Sequence, residues 1–160
     1  MRLVDRRYRL DEQVSVGGMS VVWRAFDQRL QRVVAVKLLD RRHATDRAMR
    51  RRLRVEAMYA ARLAHPHVAR VYDFGVGSLR TTGRAPYIVM EFLQGPSLAD
   101  RIRGGPLPWL SAVQIAAQAA AGLAAAHAEG VVHRDVKPAN LMLTPSGVKV
   151  VDFGIAVASG

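Results

Sequence analysis

Near the end of a 160-residue chain stands the run His133-Arg134-Asp135-Val136-Lys137-Pro138-Ala139-Asn140, and twelve residues beyond Asn140 comes Asp152-Phe153-Gly154. The residue types suggest one kind of chemistry. Asp135 can accept a proton from an attacking hydroxyl, although in a loose phosphoryl-transfer transition state its positioning matters more than its basicity. Lys137, two residues on, can neutralise charge on a transferred phosphate. Asn140 and Asp152 supply an amide oxygen and a carboxylate, the hard donors that magnesium prefers. His133 reads as packing rather than catalysis.

A second group of residues lies far upstream. Val14-Ser15-Val16-Gly17-Gly18-Met19-Ser20-Val21-Val22 joins two strand-like runs through glycines that let backbone N–H groups approach an anion closely. By itself this is a weak signal and reads more readily as an ordinary hairpin turn. The next run, Val33-Val34-Ala35-Val36-Lys37, alternates so that Ala35 and Lys37 share a face, a lysine beside a small residue as nucleotide binding needs. Further on, Met49, Leu53, Ala60 and Leu63 form an apolar stripe at helical spacing, and Glu56 falls within it. A carboxylate there is costly unless it escapes to solvent or finds a partner, for which Lys37 is a candidate. Arg47, Arg50, Arg51 and Arg54 make a basic stripe on the other side, which by itself is an ordinary solvated face.

The elements that must position these groups follow from periodicity. Strands are expected at Tyr8 to Val16, Ser20 to Asp27, Arg32 to Leu39, Val68 to Phe74 and Pro86 to Phe92, interrupted by one helix from Asp46 to Ala64 that Pro66 ends. Beyond Gly95-Pro96 the pattern changes to a short helix near Leu98 to Arg103 and an alanine-rich one from about Ser111 to Glu129. Leu141 to Thr144 and Val148 to Val151, joined through Pro145-Ser146-Gly147, read as a hairpin that holds the two acidic loops side by side. The shift in composition marks a boundary between two lobes.

Composition excludes several classes. Half the residues are apolar, which predicts a folded core rather than disorder. The net charge of +11 is almost wholly arginine, with lysine only at 37, 137 and 149. Arginine beside abundant alanine reflects a GC-rich genome before it implies a nucleic-acid partner, and none is expected. There is no cysteine and no apolar leader at the N-terminus, in keeping with a cytoplasmic setting. The uncharged run from Pro108 to Ala128 invites a membrane reading, but Gln114, Gln118 and His127 interrupt it, and a buried helix of a soluble domain is expected instead.

Taken in order and spacing, these motifs resemble the bacterial branch of the eukaryotic-type serine/threonine protein kinases along essentially the whole chain. The resemblance implies an α+β, two-lobe fold: a five-stranded antiparallel N-lobe sheet with one helix, including the hinge, over 1–93, and an incomplete helical C-lobe over 94–160. It implies ATP and magnesium as cofactors and protein serine or threonine hydroxyls as acceptors. Lys37 in Val-Ala-Val-Lys matches the nucleotide-anchoring lysine and Glu56 its helix partner. Asp135 matches the catalytic base, Lys137 the phosphate-contacting lysine, Asn140 and Asp152 the magnesium ligands. Val14, Gly17 and Gly18 match the phosphate-covering loop. Met90-Glu91-Phe92-Leu93 resembles the hinge, with Met90 as gatekeeper and the Glu91 carbonyl and Leu93 N–H meeting adenine between Val22 and Ala35 above and Met142 below.

Departures from the family pattern are informative. Ser15 and Ser20 replace the outer glycines of the G-x-G-x-x-G loop. Tyr72-Asp73-Phe74-Gly75 holds a second Asp-Phe-Gly, but it precedes the hinge, and a structural role is expected for Asp73. Arg134 resembles the arginine that holds a phosphorylated activation segment. The family's domain continues past the point where this chain stops, so a fragment with poor protein-kinase activity by itself is expected. A non-catalytic ATP-binding module is the alternative, and a complete protein could carry a membrane anchor. An antibiotic phosphotransferase, with His-Gly-Asp and no Lys-Pro, is disfavoured by Arg134 and Lys137-Pro138.

Overall fold

The computed structural model describes residues 2–17, 20–39, 47–79 and 83–153. The chain divides into two compact units, one formed by residues 1–58 and 71–92, the other by 59–70 and 93–160.

The first unit is a curled antiparallel sheet. Its strands are β1 (Arg2–Val4), β2 (Tyr8–Val16), β3 (Ser20–Asp27), β4 (Arg32–Leu39), β5 (Val71–Leu79) and β6 (Gly83–Met90). They close in the order β1-β2-β3-β4-β6-β5, with β1 pairing back onto β5 through Val4 and Leu79. β1 is a strand beyond the five expected, too short for alternation to announce it. Alternate residues fill the interior: Val4, Tyr8, Leu10, Ala25, Val34, Val36, Ala85, Tyr87 and Val89. β6 starts earlier than expected and contains Pro86. The proline is tolerated because pairing with β4 stops at Tyr87, so its missing N–H costs no ladder bond on that side.

A buried polar network ties the ends of this sheet together. Arg7 grips Asp27 with two hydrogen bonds of 2.9 and 2.7 Å and reaches Asp73 at 3.3 Å, while Tyr8 donates to the same Asp73 oxygen at 2.6 Å. The Arg7 guanidinium holds the Asp27 carboxyl down at about 2, against an ordinary 3.8. The upstream Asp-Phe-Gly copy thus has a packing role. Asp73 anchors Arg7 and Tyr8, and Gly75 leaves room for Tyr87, whose hydroxyl oxygen lies 2.5 Å from where a Cβ would stand.

Helix α1 covers Arg47–Arg62 and buries Ala57 and Ala60. It stops short of Ala64: Leu63 donates back to Ala60 at 3.2 Å, a tightened last turn, and Pro66 bars continuation.

In the second unit, α2 (Leu98–Arg103) starts at a capping box formed by Ser97 and Asp100. α3 spans Trp109–Ala128, and the hairpin is β7 (Leu141–Thr144) with β8 (Gly147–Val150). Its core gathers Leu63, Val68, Ala119, Ala126, Leu141, Val148, Val150 and Phe153. The expectation of a buried α3 is corrected. Its buried positions are Ala119, Gly122 and Ala126, whereas Trp109 is 72% exposed and Leu110 and Val113 are exposed too. Alanines all round the helix single out no core face, so the fully buried positions are the small-residue seam at 119, 122 and 126, with Ile115 and Leu123 packed partly buried beside it. A Cβ on Gly122 would stand 2.6 Å from the His67 carbonyl oxygen. Among the described residues, α3 is the one helix long and apolar enough to cross a membrane.

The expected strand from Val68 begins at Val71 because Val68 and Ala69 are drawn to β8. Val150 donates to the His67 carbonyl at 2.9 Å, and Ala69 donates to Val150 at 3.0 Å.

Candidate active site

In the first unit, register collects the upstream candidates. β3 and β4 pair Val22 with Lys37 and Arg24 with Ala35, and β4 and β6 pair Ala35 with Met90. Val34 and Val36 point into the sheet's core, so Ala35 and Lys37 lie together on the opposite face beside Val22, as alternation predicted. Lys37 is only 8% exposed. Val14 stands exposed on β2, and the β2–β3 turn closes with Gly17 donating to Ser20 at 2.8 Å. A Cβ on Gly17 would make only ordinary contacts, the nearest 3.5 Å away. Nothing described within the chain therefore demands glycine there. Gly18 lies outside the described residues. Glu56 sits on α1, with its side chain outside the described part. Met90 is buried, and Glu91 follows it as the chain leaves β6.

In the second unit, the downstream candidates converge. After α3 the chain turns at Gly130 and runs through His133 to a short 3-10 turn, Pro138–Asn140, which enters β7. Asn140 is buried and its amide nitrogen donates to both the carbonyl oxygen (2.9 Å) and the carboxylate (3.1 Å) of Asp135. Those two bonds use the nitrogen and turn the amide oxygen away from Asp135, available to a cation. Lys137 Nζ lies 2.7 Å from Asp135 Oδ2. The lysine, helped by Asn140, holds the Asp135 carboxyl below the usual carboxylate range. Asp135 is therefore an ionised acceptor at neutral pH.

The hairpin sets Asp152 against this loop. Val151 donates to the Asn140 carbonyl at 3.0 Å, so the two acidic segments meet at the open end of β7 and β8. Both contain a non-glycine residue with left-handed backbone, Arg134 at φ 65° and Asp152 at φ 62°. Side chains rarely adopt that conformation, and it persists only where surroundings enforce it. Met142 is half-buried on β7, and Leu93 begins the second unit.

His133 bridges the two segments, a role beyond the packing expected of it. Fully buried, it accepts from the Asp135 N–H at Nδ1 (3.2 Å) and bonds the Val151 carbonyl at Nε2 (2.8 Å). A backbone N–H can only donate, so Nδ1 is bare and Nε2 carries the proton. The ring also meets Phe153 edge-on, 4.8 Å between centroids. One imidazole thus fastens the Asp135 loop to the strand end carrying Asp152. Two more positioning residues escaped sequence reasoning. Gln118 accepts from Val148 N–H at 2.8 Å, and His67 Nδ1 bonds the Val148 carbonyl at 2.8 Å. No local pattern marks either, because their partner is backbone distant in sequence.

A protein kinase domain family model matches residues 8–159. Among curated relatives, the serine/threonine-protein kinase PknA of Mycobacterium tuberculosis is 45% identical over 154 residues, covering 95% of this chain and 36% of the relative. PknB of Mycobacterium leprae is 46% identical over the same share of this chain and 25% of its own length. PknL of Mycobacterium tuberculosis is 42% identical over 98% of this chain and 38% of the relative. The chain thus spans about a quarter to two fifths of these relatives. Among solved structures, the PknI kinase domain of Mycobacterium tuberculosis superposes with a TM-score of 0.83 at 30% identity, covering 97% of this chain and 62% of that one.

Proposed function

Because this chain belongs to the protein kinase domain family, we propose that it forms the nucleotide-holding and base-bearing part of a serine/threonine protein kinase. It would use ATP and magnesium to phosphorylate hydroxyls of protein substrates. The observation that carries this reading is the Asp135–Lys137–Asn140 cluster, in which one carboxylate is kept ionised by a lysine 2.7 Å away and oriented by a buried amide.

In this reading Asp135 orients the acceptor hydroxyl and takes its proton as the oxygen–phosphorus bond forms and ADP departs. Lys137 turns from Asp135 toward the transferred phosphoryl group and offsets its charge. The Asn140 amide oxygen and the Asp152 carboxylate fit magnesium, being hard donors brought to one end of a hairpin. Bound there, the metal would neutralise charge on the phosphates. In the first unit, Lys37 meets the phosphates with Glu56 as its partner, and Val22, Ala35, Met90, Glu91, Leu93 and Met142 receive adenine. The ordinary surroundings of Gly17 support a phosphate-covering role, since a glycine the fold does not need keeps a side chain out of a phosphate's approach. Val14 and Gly18 belong to the same loop. A cytoplasmic location goes with an ATP-using domain.

Mg-ATP titration with thermal unfolding tests the pocket, because a ligand of the native state raises stability as ln(1 + [L]/Kd). Lys37→Met should abolish the shift. Asp135→Asn should keep it while removing phosphoryl transfer to a serine-bearing peptide. Absence of any shift at millimolar Mg-ATP would sink the proposal, and equal loss of binding in Asp135→Asn would contradict the role given to Asp135.

A further inference from the structure

Most arginines of this protein are engaged by their own fold. Arg2 stacks on Trp23, Arg9 on Phe26 and Asp11, Arg24 on Phe92 and Asp11, and Arg32 lies 3.8 Å over the Tyr72 ring. Arg7 grips Asp27, and Arg103 pairs with Asp100. Arg51 and Arg54 on α1 differ. Both are exposed, and among the described residues neither has an ion pair, hydrogen bond or ring contact.

Their setting is electrostatically unfavourable. α1 carries six arginines against one glutamate, and its first turn holds no acidic residue although a helix N-terminus favours negative charge. Arg51 and Arg54 are three apart, so two like charges neighbour one another on one side of the helix. Beside Arg51 and Arg54 on that side stand Val55, 43% exposed, and Met58, 54% exposed. The helix buries Ala57 and Ala60 on the other side, so core packing does not account for these two apolar residues.

We infer that this ridge, from Arg51 to Met58, is a docking surface for an acidic polypeptide segment that carries apolar side chains among its carboxylates. An anionic partner removes the like-charge repulsion, arginine forks match carboxylates two bonds at a time, and Val55 and Met58 give the partner's apolar side chains a place to bury. Nucleic acid fits less well, because the exposed Val55 and Met58 offer apolar contacts that a phosphate backbone cannot use. A bilayer fits less well too, since insertion calls for a broad apolar face with aromatic or leucine side chains rather than two residues between arginines. Glu56 lies on the same helix, but the inference does not depend on the roles assigned to it or to the other ATP residues.

The test uses the full chain and fluorescence anisotropy with four probes: a labelled peptide of alternating glutamate and leucine, its glutamate–serine counterpart, single-stranded oligothymidylate, and phosphatidylglycerol vesicles. The glutamate–leucine peptide should bind at least about tenfold tighter than the serine version, and its affinity should fall with salt. The double substitution Arg51→Glu, Arg54→Glu should weaken it more than about tenfold, and Met58→Ser should weaken the leucine peptide alone. The charge reversal should leave the melting temperature close to the parent's, since both positions are exposed on the helix surface. If it unfolds the chain instead, Arg51→Lys with Arg54→Lys provides the check, because losing the guanidinium fork should still weaken binding. Unchanged peptide affinity in these variants, no advantage of leucine over serine, or oligothymidylate or vesicle binding that is tighter and equally ridge-dependent would each overturn the inference.

Discussion

His133→Leu offers a direct test of how the candidate site is assembled. The substitution keeps an apolar body in a position only 1% exposed but removes both ring nitrogens. The Val151 carbonyl, bonded at 2.8 Å, loses a buried partner, which costs about 1–3 kcal/mol. The Asp135 N–H, bonded at 3.2 Å, loses its acceptor too, but water can reach this exposed loop, so about 1 kcal/mol suffices. The edge-on contact with Phe153 adds about 0.5–1 kcal/mol, partly restored by leucine. Together the loss comes to about 3 kcal/mol, which at a urea slope of about 2 kcal/mol per molar moves the midpoint down by about 1.5 M. Urea unfolding followed by far-UV circular dichroism measures it, with Phe153→Leu as the control that removes the ring contact alone and should cost about 1 kcal/mol. Because the imidazole fastens Asp135 to the strand end bearing Asp152, phosphoryl transfer should fall further than nucleotide affinity. A variant stable to within about 0.5 kcal/mol of the parent, with full transfer, would refute the reasoning.

Three further outcomes follow from the geometry. Asp27 has a folded pKa of about 2 against 3.8, so its ion pair with Arg7 contributes about 2 kcal/mol above pH 4 that is lost as pH falls from about 4 toward 2; acid melts of Asp27→Asn should lack that component. Gly95→Ala should destabilise by about 3 kcal/mol or more, because residue 95 has φ 129° and an added Cβ would run into the Leu143 carbonyl; a thermal melt close to the parent's would contradict this. Lys137→Ala removes the group that holds the Asp135 carboxyl low, so the acidic limb of the pH–rate profile should move to higher pH, which steady-state rates across pH 4 to 8 would reveal.

Much of this was legible in the residues. Alternation placed Tyr8–Val16, Ser20–Asp27 and Arg32–Leu39 at their observed bounds and put Ala35 and Lys37 on one face, because side-chain periodicity is local information. Pro145-Ser146-Gly147 announced the hairpin, where Gly147 takes φ 113°. What stayed hidden depends on distant partners. β1 is too short to show a period, and β5 begins late because His67 and Ala69 bond to residue 150. His133, His67 and Gln118 are ordinary polar residues until the chain brings backbone groups to their nitrogens and oxygen. The exposure of α3 was misread because alanine is compatible with either burial or solvent.

The short strand β8 has one more implication. On its outer side, Val148 is held at both N–H and C=O by Gln118 and His67, and Val150 by the backbone of His67 and Ala69. On the far side of the hairpin, Leu143 donates to Pro96 at 2.9 Å. A two-stranded hairpin by itself is marginal in water, yet both edges here carry hydrogen bonds to other parts of the second unit. Its amides should therefore exchange with deuterium only when the whole second unit opens, as one cooperative block. Asp152, two residues past β8, would then be tethered to the slowest-exchanging strand of that unit, and the carboxylate proposed to hold magnesium would owe its constancy to hydrogen bonds made by residues not assigned to the metal.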